Sequence, residues 1–326
     1  MAIGLGVGVA ALGVASFATG IVANDRLAPA TASIVSQPVA VVSTVDSSGS
    51  GFVVEVPSTL WVPEQVKGER TFRPKSKAIA TAMTPYGSGN FGVGITISVT
   101  FDEAVAPAMR KALERNAFVT ASKPIGPAGW SWPTDRTMVF RPVNFWPAHT
   151  DVSFTTRWIE AGLTDYDPGR KFHIGRSLIL RISYDTNVGT LFLAGKKFRE
   201  VPVSLGRPGL ETWSGYMTVM EKYQVKRMIN PQYNYDIQVP YAMRLSWDGI
   251  FLHAAPWNEQ NLGIVSTSHG CINVSYDEGK WWYENSLIGD VVTVTGPSIN
   301  TPIAFAAGAA WNIPWGTWVE GAAAAP

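Results

Sequence analysis

A single cysteine, four histidines and few charges set the first limits on this chain of 326 residues. With Cys271 alone, no internal disulfide forms and no Cys-x-x-Cys metal pair exists. Charged residues make up only 16% and the formal net charge is +1, so nothing in the charge balance draws a nucleic-acid partner. Low charge beside 46% hydrophobic residues also excludes a largely disordered chain. No His-Glu-x-x-His sequence is present. Helical periodicity is nearly absent, being confined to APAMRKALERN (106–116) and YDEGKWWYENSL (276–287).

What is plentiful is glycine (31), proline (22) and tryptophan (13), a mixture that suits short strands, many turns and aromatic surfaces. An uncharged apolar run extends from Ile3 to Ala23. It is long enough to cross a bilayer and also suits the core of a signal peptide, although no positive residue precedes it. Residues 1–30 are therefore expected to be a signal peptide or membrane anchor of an exported protein. Residues 31–75 read as a linker with some strand character. In an exported protein a lone thiol is a liability unless it has a use. The competing reading is a buried cysteine acting as a small hydrophobe.

From residue 76 the pattern is β. Ile95, Ile97, Val99 and Phe101 alternate with small or polar residues, and TMVFRP (137–142) and DVSFTTRW (151–158) continue the habit. Residues 76–174 are expected to form an immunoglobulin-like β-sandwich. A second β domain follows over 175–296, with SLILRISYD, TLFLAG, REVPVSLG and GDVVTVTG as strands. The tail, 297–326, carries Trp311, Trp315 and Trp318, expected to pack back onto a domain, and its final GAAAAP is expected to be disordered.

Cys271 sits in S-T-S-H-G-C-I-N-V-S, two residues after His269 and eighteen after His253. A thiol becomes a useful nucleophile when a base or positive charge favours the thiolate, and either histidine can serve. Gly270 lets the chain turn sharply, and backbone N–H groups near Cys271 can then face the oxygen that becomes negative in acyl transfer. Thr267 and Ser268 are candidate supporting donors, and Asn273 can orient the loop or bind substrate amides. Two histidines and one cysteine also make a zinc-capable set, but the His-Gly-Cys spacing is unusual for zinc, so acyl transfer is preferred. No cofactor or metal is expected.

H-A-A-P-W at 253–257 followed by S-H-G-C-I-N at 268–273 resembles the signature of L,D-transpeptidase catalytic domains. The likeness extends upstream through the G-x-P turn at 206–208 and the S-G-Y strand near Gly215, and so covers about 175–296. The preceding sandwich and the tryptophan-rich tail resemble the multidomain mycobacterial-type members. The resemblance implies Cys271 as nucleophile, His253 as general base, His269 in the loop shaping the site, and N–H groups at Gly270 and Cys271 as the oxyanion donors. It implies Trp257, Ser268, Asn273 and Tyr241 as substrate contacts. Tyr233, Tyr235 and Tyr241 fall where relatives carry a lid, which here looks shortened. Relatives often have serine after the base. Ala254 suffices only if that position acts through its backbone carbonyl.

The implied reaction is 3→3 peptidoglycan cross-linking. Cys271 attacks the third residue of a donor tetrapeptide stem and expels the terminal D-alanine. The amine of an acceptor diaminopimelate side chain then takes the acyl group. The resemblance also implies inhibition by carbapenems, and a location in the cell envelope on the outer side of the cytoplasmic membrane, with a membrane tether as an option. L,D-carboxypeptidase activity, attachment of a protein to the wall, and a wall-binding module with an inert thiol stay open as alternatives.

Overall fold

The computed structural model describes residues 77–296 and 307–321. The expected signal or anchor, the linker 31–75 and the last five residues of the tail lie outside them. The first part of the described chain runs β1 (Ala80–Thr84), β2 (Asn90–Phe91), β3 (Ile97–Phe101), α1 (Pro107–Arg115), β4 (Ala117–Ala121), β5 (Ala128–Ser131), β6 (Thr137–Pro142), β7 (Thr150–Thr156) and β8 (Arg170–Ile174). Strict alternation makes β3 a one-face strand: Ile97, Val99 and Phe101 are buried and Ser98 and Thr100 only partly so. The strands form two four-stranded sheets, β1-β3-β6-β5 and β2-β8-β7-β4. Ile97 and Val99 of one sheet share a core with Phe154, Phe172 and Ile174 of the other. This is the sandwich that the alternation predicts. The short amphipathic segment forms α1, opened by Pro107 and burying Leu113.

The second part runs β9 (Leu178–Ser183), β10 (Val188–Leu193), β11 (Lys196–Pro202), β12 (Gly215–Thr218), β13 (Glu221–Asn230), β14 (Tyr235–Arg244), β15 (Phe251–Ala254), β16 (Ile272–Val274), α2 (Tyr276–Asn285) and β17 (Val291–Thr295). Its sheets have the orders β11-β10-β9-β17-β12 and β13-β14-β15-β16. Leu180, Ile182 and Val292 of the first face Leu252, Ile272 and Val274 of the second across one core. Helix α2 begins where Ser275 Oγ accepts the Glu278 N–H at 3.2 Å, with acidic Asp277 and Glu278 in its first turn. Arg199 holds Glu278 through two hydrogen bonds, at 2.8 and 3.0 Å. Trp282 is wholly buried beneath the helix.

The segment read as a shortened lid is instead two ten-residue strands, β13 and β14, joined by a short 3-10 turn at Pro231–Tyr233. No other described strand is as long, and alternation was hard to read there because Val225, Ile229 and Ile237 are exposed.

The tail tryptophans do fold back. Trp311, Trp315 and Trp318, on or beside α3 (Trp315–Glu320), surround the Arg141 guanidinium of β6 at 5.0, 5.3 and 4.5 Å. Arg141 also donates to the Ile313 carbonyl at 2.6 Å, and burial lowers its pKa to about 10. Trp311 donates to the Gly94 carbonyl at 2.8 Å, and Gly92 donates to that of Ile288 at 2.7 Å. Arg176, between the two parts, binds buried Asp290 through two nitrogens. These contacts join the sandwich to the second β domain.

One glycine links this packing to chemistry. A Cβ on Gly279 of α2 would lie 2.7 Å from Ala254 Cβ and 2.8 Å from Ala254 N. Gly279→Ala must displace β15 and is expected to cost about 1–3 kcal/mol, despite alanine's better helix propensity. Urea unfolding of the variant beside wild type measures it.

Candidate active site

His253 lies in β15, all four residues of which are buried. β15 pairs in parallel with β16, and His253 stands opposite Asn273. Residues in register share a sheet face, and so do residues two apart. His253, Asn273 and Cys271 therefore emerge together, with Cys271 immediately before β16.

The His253 ring is fixed from behind. Its Nδ1 lies 2.8 Å from the Ala254 carbonyl oxygen. A carbonyl only accepts, so Nδ1 carries the proton and the Nε2 lone pair is left for chemistry. The contact is made by a main-chain oxygen, so the backbone of Ala254 is enough to orient the ring. Trp257 stacks on the other side, with ring centroids 6.0 Å apart, while itself 49% exposed. Burial pushes the imidazole down to about 4, with the Ala254 bond opposing. His253 is neutral at neutral pH.

Cys271 is only partly exposed. Burial pushes its thiol up to about 11; a Phe251 backbone hydrogen bond opposes this and the Asp248 charge adds to it. Its Sγ–H points to the Gly249 carbonyl at 3.6 Å. At neutral pH the resting pair is thus a neutral thiol and a neutral imidazole.

The loop before Cys271 is held at many points. Ser268 bridges to Gly206 and Asn273 to Ser204, on the extended segment after β11. Gly270 has φ +115°, a backbone that glycine alone adopts without strain. Buried Thr212 donates to the Gly270 carbonyl at 2.9 Å and accepts from the Gly206 N–H at 2.9 Å. Thr212→Val leaves both backbone groups short of a partner, and is expected to cost about 1–3 kcal/mol and to slow alkylation of Cys271. Ser268 Oγ donates to the Cys271 carbonyl at 2.6 Å and accepts the Gly270 N–H at 3.1 Å. The sequence reading counted that N–H as an oxyanion donor. In the resting site it is already engaged locally.

His269 lies between Tyr233 and Tyr235, with ring centroids at 5.0 and 5.2 Å. The β13–β14 hairpin thereby reaches the Cys271 loop. Burial lowers the His269 pKa, and Arg207 adds to the effect. Tyr241 is not brought to the site. It has φ +48°, and its ring packs against Tyr276 and Tyr283 of α2, at 5.3 and 5.6 Å. It lines neither cavity beside the thiol.

Two cavities meet at Cys271. The smaller, about 300 Å³, is lined by His253, Trp257, Asn258, Ser268 and Asn273. The larger, about 500 Å³, carries Glu211, Lys226, Arg227, Arg244 and Asp248. Met228, Tyr235, His269 and Cys271 line both. Buried Asn258 Nδ2 and Asn273 Oδ1 have no hydrogen-bond partner among the described residues. A larger groove, about 770 Å³, lies on the sandwich and holds half-buried His173 bound to exposed Asp151 at 2.7 Å, and no thiol lines it. His173 thus has an acidic neighbour that the sequence reading did not see.

Asp248 and Asn258 are the site residues that sequence reasoning missed. The Asp-Gly turn before the F-L-H strand is a signal for the first. Nothing local marks the second, which is buried by a 3-10 turn, Pro256–Asn261.

Comparison with known proteins accords with this layout. The profile of the L,D-transpeptidase catalytic domain matches residues 178–294, and that of a bacterial Ig domain matches 64–160. L,D-transpeptidase 1 of Mycobacterium tuberculosis is 30% identical over 224 residues, 66% of this chain and 84% of that protein. L,D-transpeptidase 2 of the same species is 31% identical over 272 residues; they are 78% of this chain but only 65% of the relative's length. Among solved structures, LdtMt1 in complex with imipenem superposes with a TM-score of 0.58 at 27% identity, covering 67% of this chain and 99% of that one. L,D-transpeptidase 3 from Mycobacterium tuberculosis, in complex with a faropenem-derived adduct, gives 0.56 at 26% identity, covering 68% and 99%.

Proposed function

The chain belongs to the L,D-transpeptidase family, and from that premise we propose that it forms 3→3 peptidoglycan cross-links through a thioester on Cys271. The observation that carries the reading is the fixed, neutral His253, whose Nε2 is left free beside the cavity that Cys271 also lines. In the first half-reaction the thiol leaves the Gly249 carbonyl and gives its proton to Nε2 as Sγ attacks the carbonyl of the third stem residue. A thiol with its pKa near 11 is not ionised beforehand, so a positioned base is needed. The Cys271 N–H is the backbone donor proposed for the developing oxyanion. Collapse breaks the bond to the terminal D-alanine, whose amine takes the proton back from His253. In the second half-reaction the side-chain amine of a neighbouring stem attacks the thioester, and the thiol is regenerated.

Two cavities reaching one sulfur support transfer between two stems rather than hydrolysis of one. Trp257, Ser268, Asn258 and Asn273 are proposed to hold the donor. Tyr241 contributes through the hairpin's packing on α2 rather than by contact. We extend the relatives' β-lactam chemistry to this chain: a carbapenem acylates Cys271. The sandwich (76–174) and the catalytic domain (175–296) are proposed to work together in the cell envelope.

Incubation with a disaccharide-tetrapeptide containing diaminopimelate tests the proposal by product mass. A tetrapeptide–tripeptide dimer with free D-alanine is expected. Tripeptide alone supports an L,D-carboxypeptidase, and unchanged substrate contradicts the reading.

A further inference from the structure

Asp248 sits where a cysteine nucleophile gains nothing from it. It lines the larger cavity together with Cys271, and the next residue, Gly249, supplies the carbonyl that accepts the thiol's hydrogen bond. The carboxylate is held in place. Ser246 Oγ donates to Asp248 Oδ1 and accepts the Ile250 N–H at 2.9 Å, while Leu245 and Ser246 both donate to the Ile250 carbonyl, at 2.9 and 3.2 Å.

The other charges of this cavity are largely spoken for. Arg244 pairs with Glu221 at 2.6 Å, Arg227 pairs with Asp236, and Glu211 accepts the Gly209 N–H at 2.9 Å. Lys226 also lines the cavity, with its ammonium 4.4 Å from the Tyr223 ring, and no ion pair among the described residues includes Asp248. Its negative charge opposes ionisation of Cys271 and so hinders the first half-reaction. The second half-reaction, on the acyl-transfer reading above, brings a cation to the same sulfur.

We propose that Asp248 docks the ammonium group of the acceptor, so that this cavity favours a primary amine over water at the Cys271 thioester. The ammonium meets the carboxylate through a charge-assisted hydrogen bond. It gives up one proton to solvent by way of that carboxylate. The freed amine forms the C–N bond while the C–S bond breaks, and the second ammonium proton ends on Cys271 Sγ. Atoms and charge balance: thioester plus ammonium gives amide, thiol and one proton.

The test separates the half-reactions in the full chain. Thioester formation with a tetrapeptide donor is followed by rapid quench without acceptor. Partition of the thioester between dimer and tripeptide is then measured against acceptor concentration. Asp248→Asn is expected to acylate at least as fast as wild type, and to react faster with iodoacetamide at pH 8. It should need about tenfold to hundredfold more acceptor for half-maximal dimer, a loss sized to a charged hydrogen bond. Asp248→Glu should recover part of the loss. Unchanged partition in Asp248→Asn overturns the proposal. So does an equal fall in acylation and aminolysis, which would make Asp248 only a support for its turn. A wild type that forms no thioester defeats the acyl-transfer reading itself, a distinct result.

Discussion

Cys271→Ala is expected to lower cross-linking by about four orders of magnitude or more, to the level of binding alone. The effect is this large because the covalent step has no substitute. Cys271 is the only thiol in the chain, and the other residues that line both cavities, Met228, Tyr235 and His269, offer no thiol in its place. The fold should hardly notice the change, since Cys271 is partly exposed and its sulfur is held only by a long contact of 3.6 Å to the Gly249 carbonyl and a hydrogen bond with the Phe251 backbone. Thermal unfolding within a few degrees of wild type, together with lost dimer formation, is the expected pair of results. Cys271→Ser should be nearly as inactive, because an alcohol gives up its proton far less readily than a thiol.

His253→Gln is expected to slow acylation by about 10²- to 10⁴-fold, the range for a positioned general base. The pH profile carries the more specific expectation. The imidazole must be neutral to accept a proton, and burial holds its pKa near 4 instead of its ordinary value of 6.5. Activity should therefore persist through pH 6 and 5, and fall only as the pH drops through about 4 and the ring takes up a proton. A histidine with an ordinary pKa would lose activity already through about 6.5. Presteady-state acylation rates between pH 3.5 and 8 distinguish the two. The variant should lose the dependence along with the rate. The thiol, raised to about 11, should show no alkylation plateau below pH 9.

Much of this site is local chemistry, and local chemistry is legible. The S-H-G-C loop declares itself because glycine, cysteine and histidine are scarce types with few jobs in common. β3 and β9 follow from alternation, β17 from its apolar run, and α2 from the helical spacing of 276–287. What was not legible depends on contacts far apart in sequence. Arg141 finds the tail tryptophans across 170 or more residues, and the tail's aromatic density alone does not say which cation they enclose. The role of Ala254 could be framed but not decided, since a side chain's identity does not reveal where its carbonyl points. Tyr241 was misplaced because its left-handed backbone, φ +48°, is not expected of a tyrosine in a strand. The Gly270 N–H looked available because nothing in the sequence shows Ser268 Oγ already facing it. Asp248 reads as a turn residue, which it is, and its second role depends on a cavity that only folding creates.

The central claim is that Cys271 carries the acyl group. The most direct measurement is the intact mass of the protein, quenched in acid within seconds of mixing with the tetrapeptide donor, followed by peptide mapping. The account predicts an added mass equal to the donor minus D-alanine, located on the peptide containing Cys271 and released by hydroxylamine, with no adduct on Cys271→Ala. An adduct of the same mass on the alanine variant, or product formed by wild type with no thioester ever detected at Cys271, would contradict it.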